Sequence, residues 1–179
     1  TFENRGRHPL KLAAPVPRQV GAREFRLGAA EIRGPEGKAH IERIELGAGR
    51  LETAGEFSGA PLAVALALAG IDPGETSLRM RGAWRLATTP RVNGTFHVER
   101  ESGGVTFGDA PPYTLRLSEF RIEGEVVEDR LTLKGRVIDE ELGEATITAT
   151  ALPIPGARPP ALGQDSALAA SVEINIPTL

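Results

Sequence analysis

Residues 78–104 read LRMRGAWRLATTPRVNGTFHVERESGG, and their alternation decides the fold class. Leu78, Met80, Gly82, Trp84 and Leu86 fall in one phase, opposite Arg79, Arg81 and Arg85. Val92, Gly94, Phe96 and Val98 alternate in the same way with Asn93, Thr95, His97 and Glu99. Successive side chains of a strand point to opposite faces, so period two marks a strand with one face on a core and one in water. The same signal recurs outward along the chain. Leu51, Thr53, Gly55 and Phe57 share a phase, as do Leu131, Leu133, Gly135 and Val137. Ala145, Ile147, Ala149 and Ala151 follow, and Leu168, Ala170, Val172, Ile174 and Ile176 close the chain.

Two strands slip phase. Leu115 and Leu117 give way to Phe120 and Ile122, and Ile41 gives way to Ile44 and Leu46. One extra residue in each, near Ser118–Glu119 in the first, restores the face, which is what a β-bulge does. Weaker strands are predicted near 10–13, 23–33 and 104–107. Breakers separate the runs: Gly34-Pro35-Glu36-Gly37, Asp72-Pro73-Gly74, Glu101-Ser102-Gly103-Gly104 and Asp109-Ala110-Pro111-Pro112, with weaker charged turns at Glu128-Asp129 and Asp139 to Gly143. Asn93-Gly94 has hairpin-turn chemistry, but the alternation runs through it unbroken, which places it inside a strand. Residues 152–166 hold four prolines and two glycines and read as a long loop. Residues 60–70, APLAVALALAG, are apolar on every side; Pro61 suits a first helical turn and Gly70 an end, so a short helix is predicted near 61–69.

The expected fold is all-β: about ten strands in a mostly antiparallel sheet, plus one short helix. Ten strands at about 4.8 Å each would extend roughly 48 Å if left open. Such a sheet must curl, close or be covered, because its apolar face needs burial. That face is light. Gly55, Gly82, Gly94, Gly135, Ala145, Ala149, Ala151 and Ala170 all lie on it, and the chain has only eight aromatic residues. Taken singly, each glycine permits bending, with Trp84 and Phe96 covering neighbours across the strands. Taken together, they suggest an unfilled groove.

Composition excludes several classes. The 179 residues suit a single segment spanning 1–179. The 21 glycines and 14 prolines, close to a fifth of the chain, argue against a helical bundle and for many turns. A net charge of −3 gives no basic patch for nucleic acid. Cysteine is absent, which removes disulfides, thiol nucleophiles and thiolate metal sites. No apolar run reaches about 18 residues, so no helix is expected to span a bilayer. No signal peptide opens the chain, and the start at Thr1 reads as an excised or processed piece. His8, His40 and His97 lack metal-ligand spacing, so no metal or cofactor is expected. The carboxylates at Asp139, Glu140, Glu141 and Glu144 form a contiguous run, read as a solvated turn rather than a calcium loop. Ser102-Gly103-Gly104 precedes no helix and is no nucleophile elbow. Nothing indicates an enzyme.

Within residues 78–104, Gly82-x-Trp84, then a strand with Gly94, then Arg100-Glu101-Ser102-Gly103 resemble the C-terminal region of the TamB family, subunits of the translocation and assembly module. Gly104 stands where that family usually has Asp. The likeness covers roughly residues 45–150, and AsmA-like relatives share much of the pattern. It implies a long curled sheet forming an open apolar trough, a β-taco. It further implies a periplasmic segment of a protein anchored in the inner membrane. The implied partner is a TamA-like outer-membrane barrel, and the implied roles are outer-membrane protein assembly and phospholipid movement between membranes.

Three functions follow as expectations. The first is a trough that shields phospholipid acyl chains, each CH₂ moved from water contributing about 0.8 kcal/mol. Its lining would be Leu78, Met80, Trp84, Leu86, Val92, Phe96, Val98, Leu115, Leu117, Leu131, Leu133, Val137, Ile147, Val172 and Ile174. The second is a chaperone for nascent outer-membrane and autotransporter strands, taken up by strand addition at a free edge. The third is a closed structural β-domain without ligand, towards which a helix plugging the trough would tend. An excised segment exposes two sheet edges that its parent would cover, which predicts self-association.

Overall fold

The computed structural model describes residues 3–4, 10–21, 23–34, 37–47, 49–68, 75–107, 113–152 and 167–176. The strands are β1 (Glu3–Asn4), β2 (Leu10–Leu12), β3 (Arg18–Val20), β4 (Glu24–Leu27), β5 (Ala30–Arg33), β6 (Lys38–Gly47), β7 (Arg50–Pro61), β8 (Glu75–Thr76), β9 (Arg79–Ala87), β10 (Asn93–Ser102), β11 (Val105–Phe107), β12 (Tyr113–Thr114), β13 (Leu117–Val127), β14 (Arg130–Asp139), β15 (Gly143–Ala151) and β16 (Leu168–Asn175). One helix, α1 (Leu62–Leu68), follows β7 directly.

Thirteen strands form one sheet in the order β1-β2-β5-β6-β7-β9-β10-β13-β14-β15-β16, with β4 also pairing β6 and β3 pairing β4. Every pairing is antiparallel. A second sheet of three strands runs β12-β11-β8. Among the described residues the fold is therefore all-β with one short helix, which falls within the predicted 61–69, although Pro61 ends β7 and does not open the helix. The strand count exceeds the expected ten. Eight strands are long enough to show alternation; the other eight have two to four residues, too few for a period to register.

The phase slips are bulges. The β13–β14 register shifts between Leu117 and Glu119, and the β6–β7 register shifts between Ile41 and Arg43. Asn93 and Gly94 are paired residues inside β10, opposite Ala87 and Leu86. The hairpin between β13 and β14 turns at Glu128 and Asp129, both at positive φ (49° and 72°). That pair of signs is what a two-residue hairpin turn needs to match the twist of its strands. Asp129 ties this turn to the one before β10: its Oδ1 accepts from the Val92 N–H at 2.7 Å, and its own N–H donates to the Val92 carbonyl. The predicted loop at 152–166 lies outside the described residues except for Leu152, as do His8, Asp72-Pro73-Gly74 and residues 109–112.

Antiparallel register puts directly opposed residues on one face. One row thus runs Ile41, Gly55, Trp84, Phe96, Gly124, Leu133, Ala149, Ala170 across eight strands. Two residues along, a parallel row runs Phe57, Gly82, Val98, Ile122, Gly135, Ile147, Val172. The opposite face carries ion pairs between exposed side chains, among them Arg81–Glu99 (2.6 Å) and Arg136 with both Glu119 (3.1 Å) and Glu144 (2.7 Å).

The packed core sits at one end of the apolar face. Leu78, Met80 and Leu117 form it, with Phe57, Leu62, Val98, Val105, Leu115, Phe120 and Val137 packed around them. Leu62 comes from α1 and Val105 from the small sheet, so these two elements close this end. The connection is tied by polar bonds. Ser77 N–H donates to the Gly104 carbonyl (3.0 Å), Gly104 N–H donates to Ser77 Oγ (3.1 Å), and Arg100 Nε donates to the Gly103 carbonyl (3.0 Å). Gly103 has φ +79°, and a Cβ there would collide with the Ser77 backbone. The residues Arg100, Ser102 and Gly103 singled out in the sequence therefore sit at the corner where the large sheet hands the chain to the small one.

Candidate functional site

The apolar face beyond the core is the candidate site. The fifteen expected lining residues divide into groups along it. Leu78 (1% exposed), Met80 and Leu117 are enclosed in the core, with Leu115, Val98 and Val137 packed on them. For Leu78, Met80 and Leu117 the expectation of an open lining is corrected: α1 and the small sheet cover them. Trp84, Leu86, Phe96, Leu131 and Leu133 are half-buried on the middle of the face, and Val92 is half-buried at the turn before β10. Ile147, Val172 (60% exposed) and Ile174 (65%) are exposed on β15 and β16. Leu168, opposite Ala151 and 69% exposed, extends that patch although the reading of the lining omitted it.

At three glycines of this face the space is taken by aromatic rings. A Cβ on Gly55 would meet Trp84 Cη2 and Cζ2 at 2.8 Å, and one on Gly82 would meet the Phe57 ring at 2.9 Å. One on Gly124 would overlap Phe96 Cε1 and Cζ. Each ring therefore lies across the adjoining strand in the space a side chain would fill. Phe57 and Trp84 approach one another at 6.5 Å between centroids, and Trp84 Nε1 donates to Thr53 Oγ1 at 3.1 Å, so the indole is held in place. The unfilled groove expected from the set of glycines is corrected at Gly55 and Gly82, where aromatic rings occupy the space; Gly124, outside that set, is covered in the same way, and at Gly135 a Cβ would meet only ordinary contacts, the nearest Ile147 Cβ at 3.4 Å. The result is an apolar face on which rings lie over glycines.

The recesses lie on the other face. A cavity of about 520 Å³ is lined by His40, Glu56, Arg81, His97 and Glu99, with Ala83 on its floor. A second, of about 330 Å³, is walled by Thr95, His97, Glu123, Glu125, Thr132 and Lys134. Long charged side chains stand upright in water around small or flat neighbours, which leaves these gaps between them. Among the described residues, no three His, Asp or Glu side chains are placed to hold a metal ion.

The carboxylate run at 139–144 is less uniform than a solvated turn. Asp139 is 5% exposed, and its Oδ1 accepts from the N–H groups of Glu141 (2.9 Å) and Leu142 (2.8 Å). Burial pushes its carboxyl up, but the N–H groups of Leu142, Glu141 and Arg116 and the Arg116 charge outweigh that and hold it below its ordinary value. Desolvation and the charges of Asp139 and Glu141 push the Tyr113 hydroxyl up, against the lowering effect of Arg116. Asp139 thus fastens the turn between β14 and β15. Its register opposite Leu117, next to the bulge, is what buries it, and no single-strand pattern reveals that.

Comparison of the chain with family models, curated proteins and solved structures gives no significant match. Among the described residues, no helix is long and apolar enough to cross a membrane.

Proposed function

We propose that this chain is a segment of a TamB-like protein, acting in the periplasm beside a TamA-like barrel, whose apolar face forms a trough that shields phospholipid acyl chains between the two membranes. The observation that carries this reading is the one-ended cover of the face. The core closes it at Leu78, Met80 and Leu117, while the same face continues through Trp84, Phe96 and Leu133 to exposed Ile147, Val172 and Ile174. Exposed Ile147, Val172 and Ile174 leave apolar area in water, and an acyl chain laid along the face removes such area at about 25 cal/mol per Å². The surface suits a mobile occupant: methylenes meet rings and aliphatic groups, and two of its polar groups, Trp84 Nε1 and Thr53 Oγ1, bond one another. Headgroups stay in water, with the charged face on the far side of the sheet.

Trp84 is the sole tryptophan, which makes it a reporter on this face. A lysophospholipid with a brominated acyl chain quenches its fluorescence on this reading, and the unbrominated lipid does not. Equal fluorescence with both, at concentrations where lipid is bound, contradicts it.

A further inference from the structure

Pairing puts two charged side chains on the apolar side of the central strands. Asp139 follows Val137 in phase on β14 and is buried at the turn it fastens. Arg100 stands on β10 directly opposite Met80, two residues beyond Val98, and is half-buried. Alternate residues of a strand share a face, as do directly opposed residues, so Arg100 belongs to the face of Val98 and Phe96. The arginines of the far face, Arg81, Arg85, Arg121 and Arg136, are each paired with a carboxylate. Arg100 has no such partner among the described residues. Its Nε donates to the Gly103 carbonyl at 3.0 Å, which anchors the guanidinium at the corner after β10, and Nη1 and Nη2 bond no described residue. The carboxylates beside it in sequence are engaged elsewhere: Glu99 with Arg81 on the far face, and Glu101 with the Gly59 N–H. The cation whose charge acts on Asp139 is Arg116.

We propose that Arg100 binds the phosphate of a phospholipid whose acyl chain lies on the apolar face, so that the site selects anionic amphiphiles over uncharged ones. This inference rests on the trough reading above and assigns its headgroup end. A guanidinium anchored through Nε presents its outer N–H groups to the two oxygens of a phosphate. Met80 and Val98 beside it lower the local dielectric, which strengthens such a pair relative to one in open water. The chain as a whole carries a net charge of −3, which repels anions, so a preference for phosphate has to come from a local cation. At about 3.4 Å per residue along the strand, Phe96 lies roughly 14 Å from Arg100. Trp84 stands opposite Phe96. A phosphate held by Arg100 therefore lets an acyl chain run past Val98 and lie over both rings, with the headgroup in water at the corner.

Lysophosphatidate and monoacylglycerol with the same brominated acyl chain differ by the phosphate alone, and quenching of Trp84 reads the affinity for each. The unsubstituted chain prefers lysophosphatidate by about tenfold. Arg100→Gln abolishes the preference, weakening lysophosphatidate and leaving monoacylglycerol unchanged. Arg100→Lys, which keeps the charge without the Nε bond to Gly103, retains most of it. Lys134→Gln, exposed on the opposite face, alters neither affinity. Circular dichroism confirms that all three variants keep the sheet. Equal affinity for the two lipids in the unsubstituted chain, a preference that survives Arg100→Gln, an equal loss in Lys134→Gln, or an Arg100→Lys no better than Arg100→Gln overturns the inference, while monoacylglycerol binding leaves the trough standing. Displacement of lysophosphatidate by an equal concentration of inorganic phosphate makes Arg100 a site for the free anion and overturns the lipid assignment. Quenching by neither lipid overturns both readings.

Discussion

The Phe96 ring occupies the position that a side chain on Gly124 would take, one strand away in direct register. Gly124 is buried beneath it. Trp84 has the same relationship to Gly55, and Phe57 to Gly82. Three rings thus lie over three glycines in neighbouring strands of the apolar side.

Gly124→Ala therefore introduces a methyl group where Cε1 and Cζ of Phe96 lie. The ring must leave its position or the strands must part. We expect a loss of about 1–3 kcal/mol in unfolding free energy, the usual cost of overpacking. Urea unfolding measures it. In a Phe96→Leu background the same substitution costs less, because the smaller side chain no longer overlaps the methyl, and a double-mutant cycle reads the difference.

Asp139 predicts a pH dependence. Its folded carboxyl lies below the 3.8 of the free group. A group lowered on folding contributes stability that is fully present above its unfolded pKa and is lost as pH falls through the folded one. The contribution is thus intact at neutral pH and disappears below about pH 4. Unfolding free energy measured against pH falls more steeply in this range for the parent chain than for Asp139→Asn. At neutral pH, Asp139→Ala leaves the Glu141 and Leu142 N–H groups without an acceptor and costs about 1–3 kcal/mol.

Leu133 separates lipid capture from folding. It is half-buried in its row between Gly124, over which the Phe96 ring lies, and Ala149, which is small. Leu133→Glu places a carboxylate on the apolar face at a cost of about 1–3 kcal/mol, and its flexible stem lets the charge reach water on the Ala149 side. The chain stays folded by circular dichroism while quenching of Trp84 by the brominated lysophospholipid falls. Undiminished quenching argues that acyl chains do not lie along this row.

How much of this was legible beforehand depends on length and register. Long strands such as β10 and β14 carry enough alternation to reveal themselves, and the bulges at Leu117–Glu119 and Ile41–Arg43 show as slips of phase. Strands β8 and β12 have two residues each and no period, so the small sheet was not visible as a sheet; its β8–β11 pairing joins Thr76 to Val105, far apart in sequence. Phase assigns a side chain to a face but not to a position along the strand. That is why Leu78, Met80 and Leu117 were expected in an open lining and are found in the core. The fit of Phe96 over Gly124 depends on which residue of β13 stands opposite which residue of β10, and neither strand states that alone.

The central claim is that this apolar face carries acyl chains, and site-specific photo-crosslinking in cells, on the intact parent protein, tests it most directly. A photoreactive residue at Phe96 or Leu133 is compared with one at Lys134, exposed on the charged face next in sequence to Leu133. The account predicts phospholipid adducts from Phe96 and Leu133 and none from Lys134. Adducts to outer-membrane proteins alone, or cross-links confined to the chain itself, would contradict it, the first in favour of a strand chaperone and the second in favour of a filled structural domain.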